Sequence, residues 1–365
     1  MSYSILSIAY PLTEVGLDAV GGSEQILTLL DGAITRAGNH SFVIAAAGSV
    51  VQGTLIASPA ANGQLDDELR RWGQRIHREL LADTLQRYPV DLIHMHSLDF
   101  HAYIPDSDIP VLATLHLPPS WYPEWIFRHD RPRFYLNCVS FSQQRNCPPC
   151  PYMLPYIPNG IDIPHFDHRT AKQNYVLALG RICPEKGFHF AMRAARMAHR
   201  ELVLAGEVFP YAAHRDYFRT EIEPLIDQQR SFVGPVGLAR KRRLLAEAGC
   251  LLIPSTVPET SSLVAMEALG AGTPVVAFPS GALPEIIDHG RTGFLVNNVE
   301  EMAAAIGQAA SLDPEACRYS AQSRFSADRM IQRYFDVYAQ IAATVRPTTA
   351  GAGVLKKFHG EARIA

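Results

Sequence analysis

An excess of charge of either sign is missing from this chain: 33 basic residues stand against 36 acidic ones in 365, a net charge of −3. That balance gives no reason to expect nucleic acid as a partner. No apolar run is long enough to span a bilayer. The opening MSYSILSIAYP is strand-like and carries no basic leader, so no signal peptide is expected. Cysteine is scarce. Six scattered residues read as the buried thiols of a cytoplasmic protein rather than as a disulfide framework. Cys147 and Cys150 form a single CPPC without the second Cys pair or the His pair of a structural zinc site, and a structural loop is the favoured reading. No repeat of short period occurs. The strand-like SILSIAY is not followed by a close GxGxxG, which weighs against a nicotinamide-dependent oxidoreductase.

What is present is an α/β pattern. At 47% hydrophobic, 365 residues suit two domains of ordinary size. In the first half, strands are predicted over 4–10, 41–48, 91–96, 110–116 and 136–142, with helices over 23–38 and 65–88. In the second helix Leu65, Leu69, Trp72, Ile76 and Leu80 form a stripe expected to pack on the sheet. In the second half, strands are predicted near 174–179, 201–205, 230–234, 250–254, 274–278 and 293–296, with helices between them. Alternating β and α units imply parallel sheets covered on both faces. The Pro-rich CPPCPYMLPYIPNGIDIPHF separates the two series and reads as a linker. We therefore expect a first domain over 1–162, a second over 163–325, a terminal helix over 326–345 and a weakly structured tail over 346–365.

The most informative stretch is PETSSLVAMEALGAGTPVV, in which Glu259 and Glu267 stand with seven residues between them. Glu259 follows the strand-like CLLIPS, and Ser261 and Ser262 can cap the helix that carries Leu263 and Glu267. A helix N-terminus at the end of a parallel strand suits a diphosphate, with one carboxylate on either side for a sugar ring and for ribose hydroxyls. Taken alone, such a pair is more often two surface carboxylates. Upstream, the strand in NYVLALGRICPEKG ends at Gly180, and Arg181 and Lys186 follow in the loop. Those cations can neutralise a diphosphate, Arg bidentately and Lys as a point charge. Solvated loop charges would be the default for either. Cations and carboxylates at strand ends of one predicted sheet make chance a poor account.

These pieces, with GALPEIIDHGRTGFLV, IPNGID and an early GGSEQ, resemble the retaining GT-B glycosyltransferases of family 4, the glycosyl transferases group 1. The resemblance runs to about residue 345. It implies two Rossmann-like domains with parallel sheets facing a central cleft, the second holding a nucleotide-sugar and the first an acceptor. It also implies that helix 326–345 crosses back onto the first domain. Two departures stand out: Ser261-Ser262 replaces a common Phe-Gly, and Ser280-Gly281-Ala282 replaces the usual Gly-Gly before Leu283-Pro284-Glu285.

In the resembled family a His at the position of His96 approaches the donor sugar, and one at the position of His116 ends the next strand facing the same cleft. Read without the family, a lone His is more often a satisfied core residue. Gly21 and Gly22 precede a helix, where backbone can approach a phosphate or acceptor closely, and the resemblance favours that over a plain turn. Asp106-Ser107-Asp108 spells a DxD, for which a solvated turn is preferred. Lys241-Arg242-Arg243 reads as a solvated face, with anionic lipid contact as its alternative.

The resemblance then implies the roles. Glu259 orients the donor sugar, Arg181 and Lys186 stabilise the leaving phosphate, and His96 completes the catalytic set. Glu267, Ser261, Ser262, Leu263, Gly180, Gly22 and His116 bind the donor, while Gly21 and Gly22 face the acceptor. Neither metal nor cofactor is expected. The donor is expected to be a UDP-linked hexose or N-acetylhexosamine, and the acceptor a sugar, a lipid-linked or a small-molecule hydroxyl. A weak peripheral membrane contact and a monomer or homodimer complete the expectation. A sugar-nucleotide epimerase, a phosphorylase and a non-catalytic nucleotide-sugar-binding subunit are the alternatives.

Overall fold

The computed structural model describes residues 2–19, 21–60, 66–167 and 169–345. The predicted tail and Leu65 lie outside them. In chain order the elements are β1 (Ser4–Ile8), α1 (Gly22–Arg36), β2 (His40–Ala46), β3 (Thr54–Ser58), α2 (Asp67–Arg87), β4 (Leu92–Met95), β5 (Val111–Leu115), β6 (Phe134–Cys138) and α3 (Phe141–Arg145). There follow β7 (Tyr175–Leu179), α4 (Phe188–Met197), β8 (Glu201–Ala205), α5 (Ala212–Tyr217), β9 (Arg230–Phe232), α6 (Leu238–Glu247), β10 (Cys250–Ile253), α7 (Leu263–Gly270), β11 (Val275–Ala277), α8 (Leu283–Ile286), β12 (Gly293–Leu295), α9 (Val299–Ala309), α10 (Pro314–Phe325) and α11 (Ala327–Val345).

The strands make two six-stranded sheets, ordered β3-β2-β1-β4-β5-β6 and β12-β11-β10-β7-β8-β9, and every pairing is parallel. Strand order reverses beside β1 in the first sheet and beside β7 in the second, so each carboxyl edge carries a switch-point crevice. Strands covered on both faces read as apolar runs, and SILSI, VLATL and CLLI are buried throughout. The terminal helix α11 leaves the second domain and lays Met330, Tyr334, Tyr338 and Ile341 against Ile5, Ile26 and Leu30 of the first.

Three expectations need correction. The edge strand β3 was not foreseen; its TLIAS is half-exposed and lacks an apolar run. The strand expected over 136–142 ends at Cys138, because Ser140 instead caps α3 by accepting from the Gln143 N–H. The face of α2 that packs is Gly73, His77, Leu81 and Thr84, with Leu69, Trp72, Ile76 and Leu80 only partly buried beside it. Gly73 decides the rotation, since a Cβ there would lie 2.9 Å from Pro11 and only glycine admits that approach.

The first domain buries three imidazoles completely: His77, His94 and His96. Burial holds all three below the usual 6.5, that of His77 at about 4. The unfolded chain therefore takes up protons near pH 6.5 that the folded chain refuses. Stability is full above that pH and falls as pH drops toward the folded values, by up to about 1.4 kcal/mol per pH unit for each histidine. Urea titrations from pH 7.5 to 5 should show this loss, and His77→Met should make it shallower. Stability that stays flat across that window would contradict the burial of neutral imidazoles.

Candidate functional site

The carboxyl edges of the two sheets enclose a cleft of about 420 Å³, lined by both domains. From the second domain come Gly180, Arg181, Glu185, Lys186, Glu259, Ser261, Ser262, Leu263 and Glu267; from the first come Gly21, Gly22 and His116.

The Glu259 segment leaves β10 and is fixed from behind. Gly281, with φ of +61°, lies so close that a Cβ there would fall 2.2 Å from the Glu259 carbonyl oxygen, and the Ala282 N–H donates to that same oxygen at 2.8 Å. The substituted motif around Gly281 thus retains the glycine that this contact requires. The Glu259 carboxylate pairs with Lys186 Nζ at 2.6 Å and accepts from the Ser255 hydroxyl. Its side chain is 9% exposed and that of Lys186 26%, so the pair sits in a partly desolvated pocket where charge attraction exceeds that of a surface pair. Arg181 stands exposed on the rim of the cleft.

Ser262 occupies the N-cap of α7, as expected, but neither serine caps it: Ser262 makes no side-chain cap bond, and the buried Ser261 hydroxyl has no partner. Leu263 and Val264, the first residues of α7, line the cleft with no side-chain cap on their amides, and the Ser261 hydroxyl lies buried beside them without a partner.

Glu267, on α7, is 4% exposed. Burial pushes its carboxyl above the usual carboxylate range, and Lys241 opposes that shift from 2.7 Å. Lys241 also lies 5.5 Å from the centre of the Phe166 ring. This corrects the solvated reading of the Lys241-Arg242-Arg243 run: Lys241 lines the cleft and holds the carboxylate assigned to ribose. A second missed residue is Glu24, inside GGSEQ. It is buried at the start of α1, lines the cleft, and accepts from Thr13 Oγ1 at 2.8 Å and Ser23 Oγ at 2.9 Å.

The histidines divide. His116 reaches the cleft, whereas His96 lies behind it, with Nδ1 3.3 Å from His116 Nε2 and Nε2 3.1 Å from His94 Nδ1. His94 continues the chain to Thr114 and to Tyr338 of α11. Direct contact with a ligand in the cleft falls to His116 in this arrangement. Neither Asp106 nor Asp108 lines it.

Several contacts hold the domains together around the cleft. Glu285 of α8 accepts from the Phe141 and Ser142 amides of α3 at 3.0 and 2.5 Å. Thr260 Oγ1 donates to the His116 carbonyl at 3.0 Å, and Asp18 accepts from the Leu238 N–H at 2.8 Å. A Cβ on Gly22 would sit 3.3 Å from Leu263, so that glycine lets the two sides meet. The CPPC loop belongs to the far side of α3, where Cys147 Sγ lies 3.4 Å from Cys138 Sγ.

Residues 173–311 match the family described as glycosyl transferases group 1. The phosphatidyl-myo-inositol mannosyltransferase of Mycolicibacterium smegmatis is 29% identical over 221 residues, which cover 56% of this chain and 55% of that protein. The chain thus spans about half the length of the curated relative it matches. Among solved structures, a glycosyltransferase involved in avilamycin A biosynthesis is similar at TM-score 0.70 with 22% identity, covering 93% of this chain and 98% of that one. HepE of Anabaena, solved with UDP-glucose, is similar at TM-score 0.70 with 19% identity, covering 93% and 100%. These likenesses bear out the GT-B fold.

The Lys241–Glu267 pair makes a testable demand. Lys241→Met should cost about 3–5 kcal/mol of stability by stranding a buried carboxylate, and Lys241→Met with Glu267→Gln should recover most of it. Urea unfolding of the single and double variants measures the coupling; additive losses would show that the pair is not buried as described.

Proposed function

We propose that this chain, whose residues 173–311 match the glycosyl transferases group 1, moves a sugar with retention from a nucleotide-sugar to a hydroxyl acceptor. One arrangement carries the reading: two cations, two carboxylates and the open N-terminus of α7 converge on a single cleft at the carboxyl edges of two parallel sheets.

In this reading the diphosphate lies at the start of α7, where the helix dipole, the Ser261 hydroxyl and the side chains of Arg181 and Lys186 meet negative charge. As the glycosidic bond breaks, charge grows on the β-phosphate, and these groups stabilise it without having to reorganise. In this reading Glu259, engaged by Lys186 and Ser255, is not a nucleophile. Glu259 instead accepts from sugar hydroxyls. The leaving phosphate oxygen takes the acceptor's proton on the face from which it departs, which preserves the anomeric configuration. Glu267 accepts from ribose, and His116 meets the sugar from the first domain. The chemistry needs no metal, since the cations and the helix end supply the positive charge. The UDP-glucose bound to HepE supports uracil as the first base to test.

A thermal-shift screen of UDP, GDP, ADP and their sugars tests the donor. A true ligand at a hundred times its Kd adds about 2.7 kcal/mol of stability. Turnover that survives EDTA supports the metal-free reaction, and product formed without acceptor would favour an epimerase. Arg181→Ala should lower kcat about a hundredfold or more with the fold intact. Near-normal turnover in that variant, or no shift with any nucleotide, removes the reading.

A further inference from the structure

Beside the phosphate end of the cleft, three side chains converge that the transfer reaction does not use as ligands. Cys183 precedes the turn Pro184–Lys186, Glu185 lies within it, and His214 projects from α5 packed against it. Each brings one ligand atom to within 4.8 Å of the other two. The thiol is 1% exposed, and the His214 Nδ1 is buried with no hydrogen-bond partner. A buried polar nitrogen without a partner costs about 1–3 kcal/mol, and on a ring that brings a ligand atom within 4.8 Å of a thiol and a carboxylate it calls for a ligand.

We propose that Cys183, Glu185 and His214 form a binding site for zinc. Sulfur, imidazole nitrogen and carboxylate oxygen are the mixed donor set that Zn²⁺ accepts, with a fourth position left for water. Burial pushes the Cys183 thiol up to about 11. Zinc overcomes this by taking the thiolate as ligand, with the proton released to solvent. The site sits against the catalytic cations, for Glu185 lines the cleft next to Lys186, and Arg181 acts electrostatically on both Cys183 and His214. Before binding, a neutral thiol and imidazole with one carboxylate carry about one negative charge; with Zn²⁺ and a thiolate the sum is about zero. Zinc therefore makes the phosphate end more positive and relieves Glu185 of its attraction for Arg181. A nucleoside diphosphate should bind tighter with zinc than without, and zinc tighter with the nucleotide, by the same factor. That coupling rests on the transferase reading; the metal site does not.

Cobalt replaces zinc and reports thiolate ligation in the near ultraviolet. Titrating the full chain with Co²⁺ in a Cys147→Ser, Cys150→Ser background removes the half-buried thiols of the CPPC loop from the readout. One equivalent should produce thiolate-to-cobalt bands that zinc abolishes. Cys183→Ser should lose them entirely. His214→Ala, at a half-exposed position that leaves the core intact, should weaken binding at least tenfold. Absent bands, or bands that persist in Cys183→Ser, overturn the site. With the site established, UDP affinity measured by calorimetry should rise about fivefold in zinc and not in His214→Ala. UDP that binds equally well with and without zinc overturns the coupling. UDP that fails to bind at all strikes the transferase reading, leaving the cobalt result standing.

Discussion

Charge balance in a partly dry cleft is the constraint around which the rest of this structure is arranged. Parallel sheets end all their strands on one edge, so functional side chains collect there, as do helix N-termini with their partial positive charge. A site built for a dianionic ligand must hold cations, and cations that are poorly solvated must be held by anions until the ligand arrives. Lys186 rests on Glu259 and Lys241 on Glu267. The two carboxylates would thus be more than the acceptors for a sugar and a ribose that the proposed reading makes them. They store the lysines in place, and a bound diphosphate would exchange partners with them instead of meeting bare charges.

The second domain supplies most of this machinery, and the first is kept in register with it by polar contacts, three of which have backbone amides as donors. Glu285 spans two amides at the start of α3, and Asp18 takes the first amide of α6. Both bonds satisfy helix-terminal donors that would otherwise need water, so joining the domains and capping the helices are one event. From the other side α11 returns two tyrosines to the first core, and Tyr338 bonds to His94. The buried row His94–His96–His116 therefore leads from the crossover helix to the cleft wall. Keeping these rings neutral lets each act as donor on one nitrogen and acceptor on the other, which a protonated ring could not do.

How much of this the sequence disclosed depended on how local the signal was. All six strands of the second sheet were legible, because short apolar runs there are bounded by Gly, Pro or charged residues. β3 was not, since an edge strand that stays half-exposed has no apolar signature. In α2, counting apolar letters chose Leu69, Trp72, Ile76 and Leu80, but close approach to Pro11 put Gly73 and His77 inward. Glu259, Glu267, Arg181 and Lys186 could be singled out because their motifs are contiguous, and all four line the cleft. Lys241 was missed because its partner is 26 residues away on another helix, and a basic triplet by itself signals solvent. His96 and His116 were both found, yet which one reaches the cleft depends on where β4 and β5 end relative to each other.

The Ser261-Ser262 pair follows the same economy. Where the resembled family commonly has Phe-Gly, this chain places two hydroxyls, and neither closes the helix it precedes. An N-cap serine that accepted from the helix would stabilise α7 by about 1 kcal/mol but would consume one of its amides. That side-chain bond is unmade here, and the buried Ser261 hydroxyl is a further group without a partner. An unpartnered donor gains from an acceptor of matching geometry, and a phosphate oxygen is such an acceptor, with several lone pairs. In the proposed reading, the two hydroxyls that stand where the resembled family has Phe-Gly would favour a ligand that brings anionic oxygens to the start of α7.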